Sequence, residues 1–323
     1  MNNCQLFDLS DFGLIRASGD DSEFFLQGQL TNDITEVTSE HSQLSGYCTP
    51  KGRLLATMRV ISHGGDFLLL MPRERLTAVL QRLSMFVLMS KVTLSDASDE
   101  LQTIGLYGDC TVSLPAGETP AEADDSVAAQ DGVTIVRIAA DAPRFLLIGS
   151  SGVIAQRRQL LTETTAPAAN EQWQLQDIRA GLPSVFDATV EAFVPQMVNM
   201  HLVNGVSFSK GCYTGQEIVA RMHYLGKLKR RMYHVAVEGE CPASGTDLYS
   251  PQSQSGQGSG KIVMSATTAE GACEALAVIE VANAEAGQLR LNDEDGAKLE
   301  ILELPYSFEE SDKKPQSEII SKP

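Results

Sequence analysis

The sequence predicts an α+β fold that ends in a small β-barrel. Two features of the pattern carry that prediction, and the size of the chain supports it. Strand-forming runs and helical segments are mixed through residues 12–162, and from residue 229 onward the pattern becomes short strands with Gly-rich turns. The chain has 323 residues, 43% of them hydrophobic, enough for a packed core and for two or three domains.

Taken in order, FGLIRA (12–17) reads as a strand. DDSEFFLQGQL follows as a helix capped by Asp20 or Asp21. SQLSGYCT and RLLATMRVIS pair as a hairpin through the turn PKG at 50–52. HGGD turns into the strand FLLLM, and ERLTAVLQRLSMFVL has Leu76, Val79, Leu80 and Leu83 at helical spacing. KVTLS returns as a strand, and a strand, helix and strand set is expected over 102–162. Residues 115–132, rich in Pro, Ala, Glu and Asp, read as a surface excursion, and ETTAPAAN (163–170) reads as a linker. Asn170 is placed to cap the helix of NEQWQLQDIRAGLP, which Gly181 and Pro183 end. The later runs RMYHVAVEG, DLYS, GKIVMSA, EALAVIEVA and AKLEILEL give the barrel, with SQSGQGSG (253–260) as a flexible hairpin loop. The expected units are residues 1–228, made of two interleaved α+β parts, the barrel 229–308, and a polar, disordered tail 309–323.

The formal charge is −17, with a pI near 4.7, so the surface repels nucleic acid unless basic charge is concentrated locally. No basic segment followed by a long apolar run opens the chain, so no signal peptide is expected. No stretch approaches the roughly 18 apolar residues of a membrane span. The six cysteines are widely and irregularly spaced, with no CxxC pair. Neither a disulfide framework nor a metal site is expected, and a reducing, cytoplasmic setting fits best.

The segment KGCYTGQE (210–217) carries the strongest local chemistry. Thr214 and Glu217 fit a capping box, after which Ile218, Val219, Met222 and Leu225 form one apolar face ended by Gly226. Cys212 then lies just outside a helix N-terminus, where the helix dipole and Lys210 both favour a thiolate. Gly211 allows close backbone approach to a ligand. A reactive thiol and a small loop residue are evenly matched readings, and no nearby His or Asp offers a base. Arg221, Lys227, Lys229, Arg230 and Arg231 make a basic run, read first as a solvated face and second as an anion or RNA-backbone site. The single tryptophan, Trp173, falls opposite the stripe Leu175, Ile178 and Leu182, with Asp177 one turn further on. It faces another domain or a ligand cavity, the first being the better reading from the residues alone.

KGCYTGQE, preceded by FVPQ (193–196) and GVSFSK (205–210), resembles the YgfZ-type folate-binding, tRNA-modifying proteins. QGQLTND (27–33), PKGRLLATMRV (50–60) and LPYSFEE (304–310) resemble the same family in the same order. The family is related to the glycine-cleavage aminomethyltransferases. The resemblance implies a ring-like arrangement of mixed α/β subdomains, with tetrahydrofolate or another folate in the central cavity. It implies support of iron–sulfur cluster assembly or repair, and thereby tRNA modification such as methylthiolation, with iron–sulfur client enzymes or assembly factors as partners.

By the same resemblance, Trp173 takes the position of a folate-contacting Trp. Phe12 stands where some members have a second one, keeping a stacking face but losing the indole N–H. Cys212 matches the motif cysteine, which makes it the candidate functional thiol bordering the folate cavity, with Lys210 and Tyr213 beside it and Gly211, Gln216, Glu217 and Arg221 as further site candidates. The transferases carry an acidic pair near the place of Leu55 and Ala56, and a Glu where this chain has Arg179 before Ala180 and Gly181. Aminomethyl transfer is therefore not expected, with Asp177 a substitute carboxylate at the pterin. The reading stays open between folate-dependent one-carbon or thiol chemistry, a non-catalytic folate-sensing adaptor, and direct tRNA contact through Arg221–Arg231, in a monomer with no membrane association.

Overall fold

The computed structural model describes residues 4–110, 114, 119–226, 228–253 and 258–308. The expected tail 309–323, half of the loop 253–260 and the start of the 115–132 excursion lie outside the described residues. The chain runs β1 (Gln5–Asp8), β2 (Phe12–Ser18), α1 (Ser22–Gln27), β3 (Gln43–Cys48), β4 (Leu54–His63), β5 (Asp66–Pro72), α2 (Arg73–Ser84) and β6 (Thr93–Asp96). It continues with β7 (Leu101–Tyr107), β8 (Val127–Gln130), β9 (Val133–Arg137), β10 (Arg144–Ser150), α3 (Ser151–Thr162), β11 (Ala166–Ala168), α4 (Asn170–Arg179) and α5 (Gln216–Leu225). It ends with β12 (Arg230–Val237), β13 (Asp247–Tyr249), β14 (Gly260–Thr267), β15 (Cys273–Glu280), α6 (Val281–Ala286), β16 (Leu289–Leu291) and β17 (Lys298–Leu302).

Three sheets result. A six-stranded sheet has the order β11-β1-β7-β10-β9-β8, a five-stranded sheet has the order β3-β4-β5-β2-β6, and β12-β15-β14-β13-β16-β17 close a barrel. The consecutive strands β1 and β2 enter different sheets, which interleaves the two parts of the N-terminal region. The α2 face follows from its spacing: Leu76, Val79 and Leu83 recur at i, i+3 and i+7 and are all buried against the five-stranded sheet. The barrel was legible for the same reason, since each strand is local and bounded by turn residues.

Several expectations are corrected. The 102–162 segment makes strands β7 to β10 before its helix, because Asp131 and Gly132, both at positive φ, turn β8 back on β9 as a tight hairpin. The expected linker contributes β11, which pairs in parallel with β1 and sits at the sheet edge, where Pro167 is tolerated. Asn170 does not cap α4; Ala169 holds that position, and the Asn170 amide donates to Asp11 at 3.0 Å. α5 starts at Gln216 with Gly215 as its cap at φ 86°, so the Thr214–Glu217 capping box does not form. Leu225 is 83% exposed, and only Val219 on that helix is buried.

Disulfides are present: Cys4 is bonded to Cys110 and Cys241 to Cys273. Distance along the chain hid them. The antiparallel pairing of Gln5 with Tyr107 brings Cys4 beside Cys110, and the pairing of Val237 with Cys273 brings Cys241 into range. Cys48, buried, and Cys212, exposed, are free.

Candidate functional site

α4 is buried on two opposite sides, which explains its pattern. Leu175 and Ile178 belong to the cluster that joins the ring to the barrel, while Trp173 belongs to the cluster between the two sheets. Trp173 is separated from Leu175 and Ile178 as predicted, but Leu182, expected on their stripe, packs with Trp173 because α4 ends at Arg179 and Leu182 lies beyond the helical repeat. Trp173 serves both readings at once. It meets Phe7 edge to face at 5.4 Å and also lines a central chamber of about 60 Å³. Gly105 makes this possible, since a Cβ there would stand 2.4 Å from the indole ring.

Phe12, Met58, Asp177 and Leu182 line the same chamber. Leu44, Arg59 and Leu182 are shared with a second compartment of about 330 Å³, which widens the space toward Asp141, Arg179 and Tyr306. Asp177 accepts from Arg144 at 2.8 Å through one oxygen, and its other oxygen has no partner among the described residues. A pterin offers flat aromatic area and amino donors, so a Trp face beside a half-satisfied carboxylate fits it. Arg179 points elsewhere, forming a bidentate pair with Glu274 of the barrel at 3.0 and 2.6 Å, and His234 meets the same carboxylate at 2.8 Å. The Arg179 cation is thus already neutralised by the barrel.

The motif segments meet one another although they are far apart in sequence. Lys210 is buried, and its Nζ donates to the carbonyls of Gln27, Leu30 and Asn32 at 2.8, 2.7 and 2.7 Å. An ammonium has three donors and all are used. Burial pulls its pKa down to about 8, with Asp33 opposing. Thr31 and Asn32 add bonds to the carbonyls of Gly205 and Asn204 at 2.8 and 2.6 Å. Gln196 donates to the Val219 carbonyl at 2.6 Å, and Tyr306 donates to Gly181 at 2.9 Å.

Cys212 and Gly211 are exposed. Cys212 is not among the residues lining either compartment, which corrects the expectation that it borders the cavity with Trp173. The reason is the docking of KGCYTGQE on the tip of the β3–β4 hairpin, where Gly215 stacks on Thr49 and Gly52. The cavity is formed further along the same strands, at Leu44 and Met58. Five residues of strand, from Thr49 to Leu44, place the two regions about 16 Å apart. Lys210 likewise gives its charge to the 27–32 carbonyls, so no donor is left for the thiol.

Tyr213 is buried, with Lys210 5.1 Å from its ring centre; burial, and secondly Cys48, push its phenol up, so it stays protonated at neutral pH. Gln216 braces the loop through its amide, 3.5 and 3.4 Å from the carbonyls of Lys210 and Gly211. Glu217 and Arg221 are exposed on α5. Of the basic run, Arg230 donates to Gly258, Arg231 lies 4.9 Å over the Phe308 ring, and Lys227 is outside the described residues. Sequence reading missed an aromatic cluster beside it: Phe208 stacks on His223 at 3.7 Å, and Tyr224 meets His223 edge-on at 4.8 Å. Phe208 comes from outside α5, so no local pattern announced it. Among the described residues no group of His, Cys, Asp and Glu is placed to hold a metal ion, and no helix is long and apolar enough to cross a membrane.

Two interleaved sheets and a closed barrel around a central chamber make an aminomethyltransferase-like fold. The likeness is one of fold: the crystal structure of glycine cleavage system aminomethyltransferase T from Bartonella henselae matches with a TM-score of 0.67 over 94% of this chain and 86% of that one, at 15% identity. No protein-family model matches the chain. It is 33% identical over 311 residues to the tRNA-modifying protein YgfZ of Photorhabdus laumondii, covering 94% of this chain and 93% of that protein. It is 34% identical over 280 residues to the protein of the same name from Colwellia psychrerythraea, covering 85% of each. The chain belongs to the YgfZ family.

Proposed function

We propose that this protein binds a folate in the Trp173 chamber and supports iron–sulfur cluster assembly or repair, and through it tRNA modification such as methylthiolation. The observation that carries the folate assignment is the pairing of a buried Trp173 face with the half-satisfied Asp177 carboxylate on one cavity wall. The iron–sulfur role rests on the family resemblance, and the tRNA role on the names of the relatives. The protein acts as a cytoplasmic monomer toward iron–sulfur client enzymes or assembly factors. Its own residues orient the ligand: Trp173 offers a stacking face, Asp177 an acceptor, and Phe12 a second apolar wall. Cys212 is exposed and away from the chamber, so its thiol works on a partner at the surface and not on the pterin.

Calorimetry with tetrahydrofolate tests the binding, and quenching of Trp173 fluorescence places it, since no other tryptophan reports. Binding without a fluorescence change would put folate elsewhere; no binding removes the assignment. In cells lacking the native protein, Cys212→Ser is expected to lose cluster-dependent tRNA methylthiolation. Retained activity would favour the second reading, a non-catalytic folate-sensing adaptor. The exposure of Cys212 and its absence from the lining of either compartment are the observations that favour that reading. Direct tRNA contact through Arg221 and the exposed end of α5 predicts binding that falls steeply with salt.

A further inference from the structure

Phe12 is a wall shared by two cavities. On one side is the chamber of Trp173 and Asp177; on the other is a separate cavity of about 300 Å³ at the β1–β2 turn, the start of α2 and the face of α3. The charged residues lining this second cavity are Arg73, Arg158 and Asp8. Arg73 is the first residue of α2, where the helix dipole is also positive.

Neither arginine is committed. Arg73 lies 3.8 Å from Asp99, whose side chain is 98% exposed, and Arg158 lies 3.3 Å from Asp8, 60% exposed. Solvent screens such pairs, and each guanidinium has five donors, so both keep capacity for an incoming anion. Ser10, Gln102 and Thr103 add neutral polar groups to the lining. The compartment that shares Leu44, Arg59 and Leu182 with the chamber has the reverse character. Asp124, Asp125 and Asp141 line it, and its arginines are already paired, Arg59 with Asp125 and Arg179 with Glu274. The central chamber therefore adjoins both an acidic space and a basic one.

We propose that the Arg73–Arg158 cavity binds the carboxylates of the folate's glutamate tail and selects folates that carry several γ-linked glutamates. This inference rests on the folate reading above. A folate joins a flat heterocycle to an anionic tail through an aromatic linker, and Phe12, which lines both cavities, offers that linker an aromatic face between them. Charge complementarity decides the direction: a polyanion is repelled by the compartment of three aspartates and attracted by the one whose two guanidiniums are paired only with exposed carboxylates.

The test compares tetrahydropteroyl-monoglutamate with the triglutamate by calorimetry on the full chain at low salt. The triglutamate is expected to bind about tenfold tighter, a gain that shrinks as salt rises. Arg73→Gln with Arg158→Gln is expected to abolish the gain, while Arg158→Gln alone, on the exposed face of α3, removes part of it. Arg290→Gln on the barrel is expected to keep it. Equal affinity of the two folates for the unmodified protein, or a gain that survives the double substitution, overturns the tail site and leaves the chamber assignment standing. Failure of both folates to bind overturns the chamber assignment itself.

Discussion

The Arg144 guanidinium lies 3.8 Å from the centre of the Trp173 ring, donates to the Trp173 carbonyl at 3.0 Å and pairs with Asp177 at 2.8 Å. One fully buried cation thus holds both the aromatic wall and the carboxylate of the chamber. Arg144→Met leaves Asp177 without its counter-ion and is expected to cost about 3 kcal/mol, the lower end for breaking a buried pair, because Asp177 keeps some solvent access. Adding Asp177→Asn is expected to restore much of that loss in denaturant unfolding. A double variant as unstable as the single one would mean that the pair itself is not what Arg144 supplies.

Lys210 gives a pH signature. Its pKa is about 8 in the folded protein against an ordinary 10.5, because burial disfavours the charge. Between those values the unfolded chain holds a proton that the folded protein has released. The contribution of this group to stability therefore rises with pH through that window, by about 1.4 kcal/mol per pH unit, and is lost again as pH falls through 8. Subtracting the stability of Lys210→Met from that of the unmodified protein at pH 7.5, 9 and 10.5 is expected to show this rise. A flat difference would show that the three carbonyls hold the proton in place.

Two glycines of the same motif are expected to behave oppositely. Gly215 has φ 86°, and a Cβ there would stand 2.4 Å from the Thr49 carbonyl oxygen. Gly215→Ala is expected to destabilise by about 2–3 kcal/mol, because strain and a backbone clash coincide. At Gly211 a Cβ would meet nothing within 4 Å, so Gly211→Ala is expected to change stability by less than about 0.5 kcal/mol. Thermal unfolding of the two variants side by side checks both.

Thiol counting tests the cysteine assignment. The native protein is expected to react with a thiol reagent at one site, Cys212, and the unfolded, unreduced protein at two. Cys48 is silent while folded because burial pushes its thiol up to about 12. Six reactive thiols in the unfolded chain without reductant would remove both disulfides.

What the sequence revealed depended on how local the information was. The phase of α4 placed Trp173 and Asp177 on a side away from Leu175 and Ile178, and that held because it needs only the helical repeat. The triple anchor of Lys210 was invisible, since its partners lie about 180 residues away and are backbone carbonyls, which no side-chain pattern marks. The pairing of Cys4 with Cys110 depended on β1 and β7 being neighbours, a fact of topology and not of spacing. At Thr214 the capping-box pattern was outcompeted by Gly215, which the close approach of Thr49 and Gly52 holds in the left-handed region. Cys212 was placed beside the cavity because its motif and Trp173 were the two most informative features, yet the β3–β4 hairpin receives the Cys212 segment at its tip and lines the Trp173 chamber further along its strands.

Tyr306 ties the stretch that follows the barrel back to the end of α4. Its hydroxyl donates to Gly181 at the end of α4 and accepts from Asn199 at 3.2 Å, while its side chain and Pro305 complete the wall of the larger compartment. These residues follow β17, the last strand of the barrel. A nascent chain can pair its two sheets early, but it gains a finished ligand compartment only after the barrel has been translated and its end has returned to α4. A truncated product stopping short of residue 305 therefore lacks part of the wall of that compartment.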